Sequence, residues 1–120
     1  MTKDTVRFTV EFTIHEGKLN QFEELARTMV ERSQLEPGTL GYDFFLSEDR
    51  KRCRLLETYA DGDAVVKHLA GPVVQEFVPK MLETAGLTRF EVYGDPGPKA
   101  AQMLKGMGAE TFNPWHKLSR

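Results

Sequence analysis

The stretch TVRFTVEFTI, Thr5 to Ile14, limits the fold of this chain more than any other. Val6, Phe8, Val10, Phe12 and Ile14 fall on one side of it, and Arg7, Thr9, Glu11 and Thr13 on the other. Side chains that alternate with a period of two describe a strand with one buried face. Five large apolar groups on that face need an apolar layer to lie against. The chain supplies one at once. After Gly17 breaks the alternation, Leu19, Phe22, Leu25, Ala26, Met29 and Val30 recur at helical spacing from Lys18 to about Leu35, the stripe of a helix with one buried face. Glu23 with Arg27 and Arg27 with Glu31 add pairs on its wet side. Glu36-Pro37-Gly38 ends it, because proline disfavours helical geometry in the residue before it.

TLGYDFFL (Thr39–Leu46) and RCRLLETY (Arg52–Tyr59) read as two further strands joined by the short polar turn SEDRK, which suits a hairpin. Asp61 or Asp63 can cap the helix that follows. Gly71-Pro72 interrupts that helix, which resumes with Pro72 in its first turn. Val74, Phe77, Val78, Met81, Leu82 and Ala85 form its stripe, Pro79 bends it, and Gly86 closes it. LTRFEVY (Leu87–Tyr93) is a fourth strand. The expected fold is α+β and ferredoxin-like, β-α-β-β-α-β, a four-stranded antiparallel sheet with helices on one face. Residues 1–95 form this domain. Residues 96–120 are an extension in which KAAQMLKGMG can make a short helix and AETFNPWHKLSR shows no period.

Charge and composition remove several functions. A net charge of -2 with no clustered basic face gives no footprint for nucleic acid. No apolar run approaches the roughly 18 residues of a membrane span, and the N-terminus lacks the apolar centre of a secretory signal. One cysteine, Cys53, cannot form an internal disulfide and suits a reducing cytoplasm. On its strand, Cys53 reads as a small core or half-buried thiol, with a nucleophile as the alternative. His15, His68 and His116 are not spaced as a compact metal motif. There is no phosphate loop, nucleophile elbow or dinucleotide fingerprint.

What remains is the cleft such a fold can hold between sheet and helices. Phe8, Phe12, Tyr42, Phe44, Phe77 and Met81 are its candidate lining and substrate-binding residues, although such residues ordinarily form plain core. Tyr42, Asp43, Tyr59 and His68 are the candidate polar groups at its rim. Tyr59 and His68 gather with Glu57 around one strand-to-helix junction, LLETYADGDAVVKHL. A histidine titrates near neutrality and can act as a base. The alternative leaves His68 in solvent and makes Glu57 and Tyr59 the ordinary end of a strand.

That junction resembles the antibiotic biosynthesis monooxygenase family of the dimeric α+β barrel superfamily. The correspondence runs through Glu57-Thr58-Tyr59, the turn Asp61-Gly62-Asp63, Ala64 to His68, and Leu69-Ala70-Gly71-Pro72. The Gly17-Lys18 helix opening and the step from Pro37-Gly38 to Gly41-Tyr42 add to it, so that residues 5–94 are covered. Where many relatives carry a second histidine, this chain has Val73 and Val74. Thr9, Glu11 and Thr13 on the first strand and Val78 on the helix do not match the asparagine and histidine of the related haem-degrading enzymes, which disfavours haem degradation. The resemblance implies a monooxygenase acting with O2 on a small electron-rich aromatic such as a quinol or anthrone, without metal, flavin or other cofactor. His68 is then the candidate base, with Tyr59 and Asp43 as the other candidate catalytic residues. A cofactor-free isomerase or a non-catalytic small-molecule-binding dimer of the same fold are the alternatives, since a scaffold alone does not choose its chemistry.

Two expectations concern assembly. A sheet covered on one face only, with Phe45, Thr9, Thr13 and Thr58 on the other, calls for a homodimer made by packing the sheets face to face. Met103, Leu104, Met107, Phe112 and Trp115 are too many large apolar groups for a free end, so the extension should dock on the domain or the partner subunit.

Overall fold

The computed structural model of the chain describes residues 5–118 and 120. The alternating segment is strand β1 (Val6–Ile14), with its five apolar side chains all buried. It is followed by helix α1 (Leu19–Ser33), strands β2 (Thr39–Leu46) and β3 (Arg52–Tyr59), and helix α2 (Gly62–Ala70). A π-helical turn (Val73–Phe77) leads into helix α3 (Val78–Met81), then strand β4 (Ala85–Tyr93), helix α4 (Gly97–Gly106) and strand β5 (Glu110–Phe112). The sheet order is β2-β3-β1-β4-β5. β1 pairs antiparallel with both β3 and β4, so the most apolar strand lies at the centre, where burial is deepest.

The α+β ferredoxin-like fold read from the sequence is therefore the one observed, with a correction at one edge. The sheet has five strands rather than four, and β5 runs parallel to β4. Its three residues are exposed and too short to carry a period, so no pattern announced them. The extension does not behave uniformly. Ala100 and Leu104 are buried where α4 packs on α2, whereas Trp115 is 89% and Leu118 79% exposed. Asn113-Pro114 ends the pairing after Phe112, since proline has no N–H for a ladder.

The second helical region departs from a single bent helix. Gly71 leaves α2 in an extended conformation, and the chain winds as a wide π turn before α3. Pro79 has no N–H to offer the carbonyl of Gln75, so regular α geometry is broken just there. The helix stops at Met81. Ala85 and Gly86, expected at its end, instead begin β4 opposite Ile14 and Thr13.

Two glycines set the approach of the loops to α2. A Cβ on Gly38 would lie 2.5 Å from the Cβ of Ala64, and one on Gly62 only 2.0 Å from the carbonyl oxygen of Pro96. Gly38 thus lets the loop after α1 run against the first turn of α2, and its carbonyl accepts the Ala60 N–H at 2.9 Å. Asp61 caps α2 by accepting from the Ala64 N–H at 2.9 Å. These contacts fix α2, and with it His68, against both the sheet and the residues just before Gly38.

Candidate functional site

β3 alternates in burial, and this alternation sends Leu55, Glu57 and Tyr59 to the helix side of the sheet. A carboxylate there is unusual, because an unpaired buried charge is costly. Glu57 is 5% exposed and is not alone. The Tyr59 hydroxyl donates a short hydrogen bond to Glu57 Oε1. His68, in the last turn of α2, is 2% exposed and brings its Nε2 to 3.6 Å from the same oxygen. The other ring nitrogen, Nδ1, lies 2.8 Å from Glu36 Oε1. Thr39 donates to that oxygen as well, at 2.7 Å. The rings of Tyr42 and Tyr59 flank the imidazole, with centroids 5.4 and 5.1 Å away.

The electrostatics separate the two carboxylates. Burial pushes the Glu57 carboxyl above its ordinary range, although the attraction of His68 and the Tyr59 hydrogen bond pull the other way. Partial burial raises Glu36 too, but the hydrogen bonds from His68 and Thr39 outweigh it and hold this carboxyl below the usual value. Glu36 is therefore ionised at neutral pH and can only accept. It follows that His68 donates from Nδ1 to Glu36 and sets its Nε2 toward Glu57. The phenols of Tyr42 and Tyr59 are both pushed well above their ordinary range, by burial first and then by the nearby carboxylates, so both stay protonated donors.

Tyr42, Glu57 and His68 open into a narrow cleft between the sheet and the helices, with a cavity volume of about 60 Å³. Phe8, Phe12, Leu55 and Phe90 line its sheet side, while Val74 and Val78 face them from the π turn and α3. Among the described residues lining it, Tyr42, Glu57 and His68 alone carry a polar tip. Met107, from the end of α4, also reaches this lining, so the extension contributes to the cleft. The cleft sets its few polar groups at one end of an apolar lining. Among the described residues, no three metal-ligating side chains converge.

The structure gathers some of the candidate residues and disperses others. His68 and Tyr59 come together, but as buried groups rather than rim groups. Phe8, Phe12 and Tyr42 line the cleft. Phe44, Phe77 and Met81 do not. Phe44 packs edge-on against Phe22 and Tyr42, Phe77 lies under Arg32 and Lys80, and Met81 is fully buried beside Thr84. Asp43 is exposed and pairs with Leu56 on the opposite face from Tyr42, so its carboxylate does not reach the cleft. Sequence reasoning missed Glu36 as a site residue and treated Glu57 as the end of a strand. The available signal was an acid at an inward position of a strand whose neighbours, Leu55 and Tyr59, are apolar or aromatic.

Residues 5–80 match the family model for antibiotic biosynthesis monooxygenase. Among solved structures, the chain is similar to MupZ from Pseudomonas fluorescens at 25% identity and a TM-score of 0.83, over 98% of this chain and 96% of that one. A conserved protein of unknown function from Bacteroides thetaiotaomicron VPI-5482 gives 22% identity and a TM-score of 0.70 over 76% of this chain and 97% of its own. A structure of an antibiotic biosynthesis monooxygenase gives 22% and 0.64 over 72% and 92%. The last two likenesses speak to the fold alone. Among curated proteins, none matches the chain.

Proposed function

Because this chain belongs to the antibiotic biosynthesis monooxygenase family, we propose that it oxidises a small electron-rich aromatic, a quinol or anthrone, with O2 and without a bound cofactor. The observation that carries this reading is His68 held between Glu36 and Glu57, with Tyr42, Glu57 and His68 the polar tips of an otherwise apolar cleft. An anthrone methylene or a quinol hydroxyl is acidic enough for a positioned base to remove its proton. His68 Nε2 is that base, and the Tyr42 hydroxyl, which lines the cleft, is the donor for the anion that forms. The aromatic anion gives an electron to O2, and the two radicals combine as a peroxide that takes the proton back. For an anthrone, the ring methylene exchanges one C–H bond for a C–O bond and becomes a secondary hydroperoxide. This hydroperoxide loses its remaining C–H proton and the terminal hydroxide together as water, breaking the O–O bond and leaving a ketone. One oxygen atom of O2 stays in the product and the other leaves in the water. Apolar walls keep competing water out of the anion's way.

The same acid–base pair could move a proton within a substrate without O2, and this is what the test separates. Anthrone is offered aerobically and anaerobically, with O2 uptake followed at an electrode. Turnover only in air, with a ketone product and uptake of one O2, is expected. His68→Ala should lower it by about 10²–10⁴-fold. Anaerobic turnover would make the protein an isomerase, and saturable binding with no turnover a binding module.

The assembly we propose is a homodimer with sheets packed face to face, in the cytoplasm, where a single buried thiol stays reduced. Phe45 and Leu56 support it, as they are 54% and 42% exposed on the face the helices leave open. Light scattering of a monodisperse monomer at micromolar concentration would count against it.

A further inference from the structure

We propose that Glu36 is the solvent-side proton port of this site, so that protons reach the His68–Glu57 pair through Glu36 and not through the apolar cleft. The proposal rests on reading that pair as the acid–base centre. The two ring nitrogens of His68 serve different compartments. Nε2 turns to Glu57 in the cleft, and Nδ1 to Glu36, which is absent from the cleft lining. Glu36 instead lines a second hollow, between the Leu35–Thr39 loop and the start of α2, with about 840 Å³ of empty space including its open side. The side chains of Glu57 and His68 are 6% and 2% exposed, and only Glu36, at 20%, reaches toward solvent.

The chemistry needs such a port. A base buried at 2% exposure behind a bound aromatic is shut off on the cleft side, so its protons need another route. When Nε2 takes up a proton, the imidazolium can release the one on Nδ1 to Glu36. Glu36 passes it to water, and the reverse recharges the ring. Both His68 and Thr39 bond to Oε1 of Glu36, which leaves Oε2 to trade the proton. A Cβ on Gly71 would stand 3.6 Å from that oxygen, which places Oε2 against the end of α2. The ionisable groups around the port are Asp61, Asp63 and Lys67 along the hollow, and Glu57, Tyr42 and Tyr59 from the sheet side. The proposed oxygenation returns its proton within the turnover. The port therefore sets the resting protonation of the pair rather than supplying a stoichiometric proton, which makes Glu36 a positioning residue.

The test needs no substrate. In protein labelled with ¹⁵N-histidine, the exchange of the His68 ring N–H with solvent is measured by NMR for native protein and for Glu36→Gln. Glutamine keeps an oxygen to accept from Nδ1 and Thr39 but cannot take the proton. Exchange should slow by about tenfold or more, the scale on which a lost proton carrier shows. Glu36→Ala, which admits water to Nδ1, should exchange at least as fast as native protein. Unchanged exchange in Glu36→Gln, or slowing in Glu36→Ala equal to that in the glutamine variant, overturns the port. With anthrone under O2, Glu36→Gln should shift the pH profile of kcat at unchanged KM, because the pair rests in a different protonation state, and formate buffer entering the hollow should move it back. Slowed exchange in a protein that leaves anthrone untouched would keep the port and remove the oxygenase. Turnover with unaltered exchange would do the opposite.

Discussion

Replacing Leu104 with alanine asks whether the C-terminal extension is part of the folding unit or an appendage. Leu104 is fully buried where α4 lies on α2, the helix that carries His68. Truncating a buried leucine costs about 2–5 kcal/mol, the lost transfer energy plus a term for the cavity left behind. The site can partly collapse, because α4 is a single helix of 10 residues with only a short strand and an exposed end beyond it. That favours the lower half of the range, about 2–3 kcal/mol. With an unfolding entropy of about 2.1 cal/mol/K per residue, a chain of 120 residues should lose roughly 10 °C in Tm. Far-ultraviolet circular dichroism is the right assay. Trp115 is 89% exposed in the folded chain, so its emission will barely report unfolding. Met103→Ala, at a half-buried position on the same helix, should cost less than about 1.5 kcal/mol and serves as the internal comparison. A Leu104→Ala melt within 2 °C of native protein would mean that α4 unfolds separately, and the reasoning would fail.

Glu57→Gln should change how stability depends on pH. Burial holds the folded Glu57 carboxyl above its unfolded value of about 4.5, so native protein loses stability as pH rises from there until the folded carboxyl also ionises. The Tm difference between variant and native protein should therefore move in the variant's favour between pH 4 and pH 8, and a pH-independent difference would contradict the assignment. Cys53 is 3% exposed with its thiol pushed up to about 11 by burial. It should resist maleimide at pH 8 until guanidinium unfolds the chain, and rapid native labelling would show the strand to be open. Gly62→Ala sets a methyl 2.0 Å from the Pro96 carbonyl oxygen, a backbone atom that cannot swing aside. A loss of about 1–3 kcal/mol is expected in a denaturant melt, and a neutral outcome would mean that the linker moves freely.

The central strand was legible because five alternating apolar residues admit one reading. The breaks at Pro37-Gly38 and Gly71-Pro72 were legible because proline and glycine act locally. The site was legible only in part. Glu36 and His68 are 32 residues apart, and no spacing rule connects a loop after one helix to the middle of another. Glu57 stood in plain view, but its burial depends on partners that only the folded chain assembles. Phe44, Phe77 and Met81 looked like cleft lining because inward aromatic and apolar residues carry no mark that separates core from cavity. The face of β2 that shows Asp43 to solvent follows from its pairing with Leu56, a register that the residues of β2 alone do not specify.

The short parallel strand at the end of the sheet has a consequence for how copies of this chain meet. An exposed β4 would offer a long row of free N–H and C=O groups, a template on which another chain's strand could grow. β5 occupies part of that row with three residues and then breaks at Asn113-Pro114, too brief a rim to be extended in its turn. At the opposite rim, the register of β2 slips between Thr39 and Gly41, which spoils a regular ladder there. Both ends of the sheet are thus poor starting points for strand-by-strand growth into fibrils.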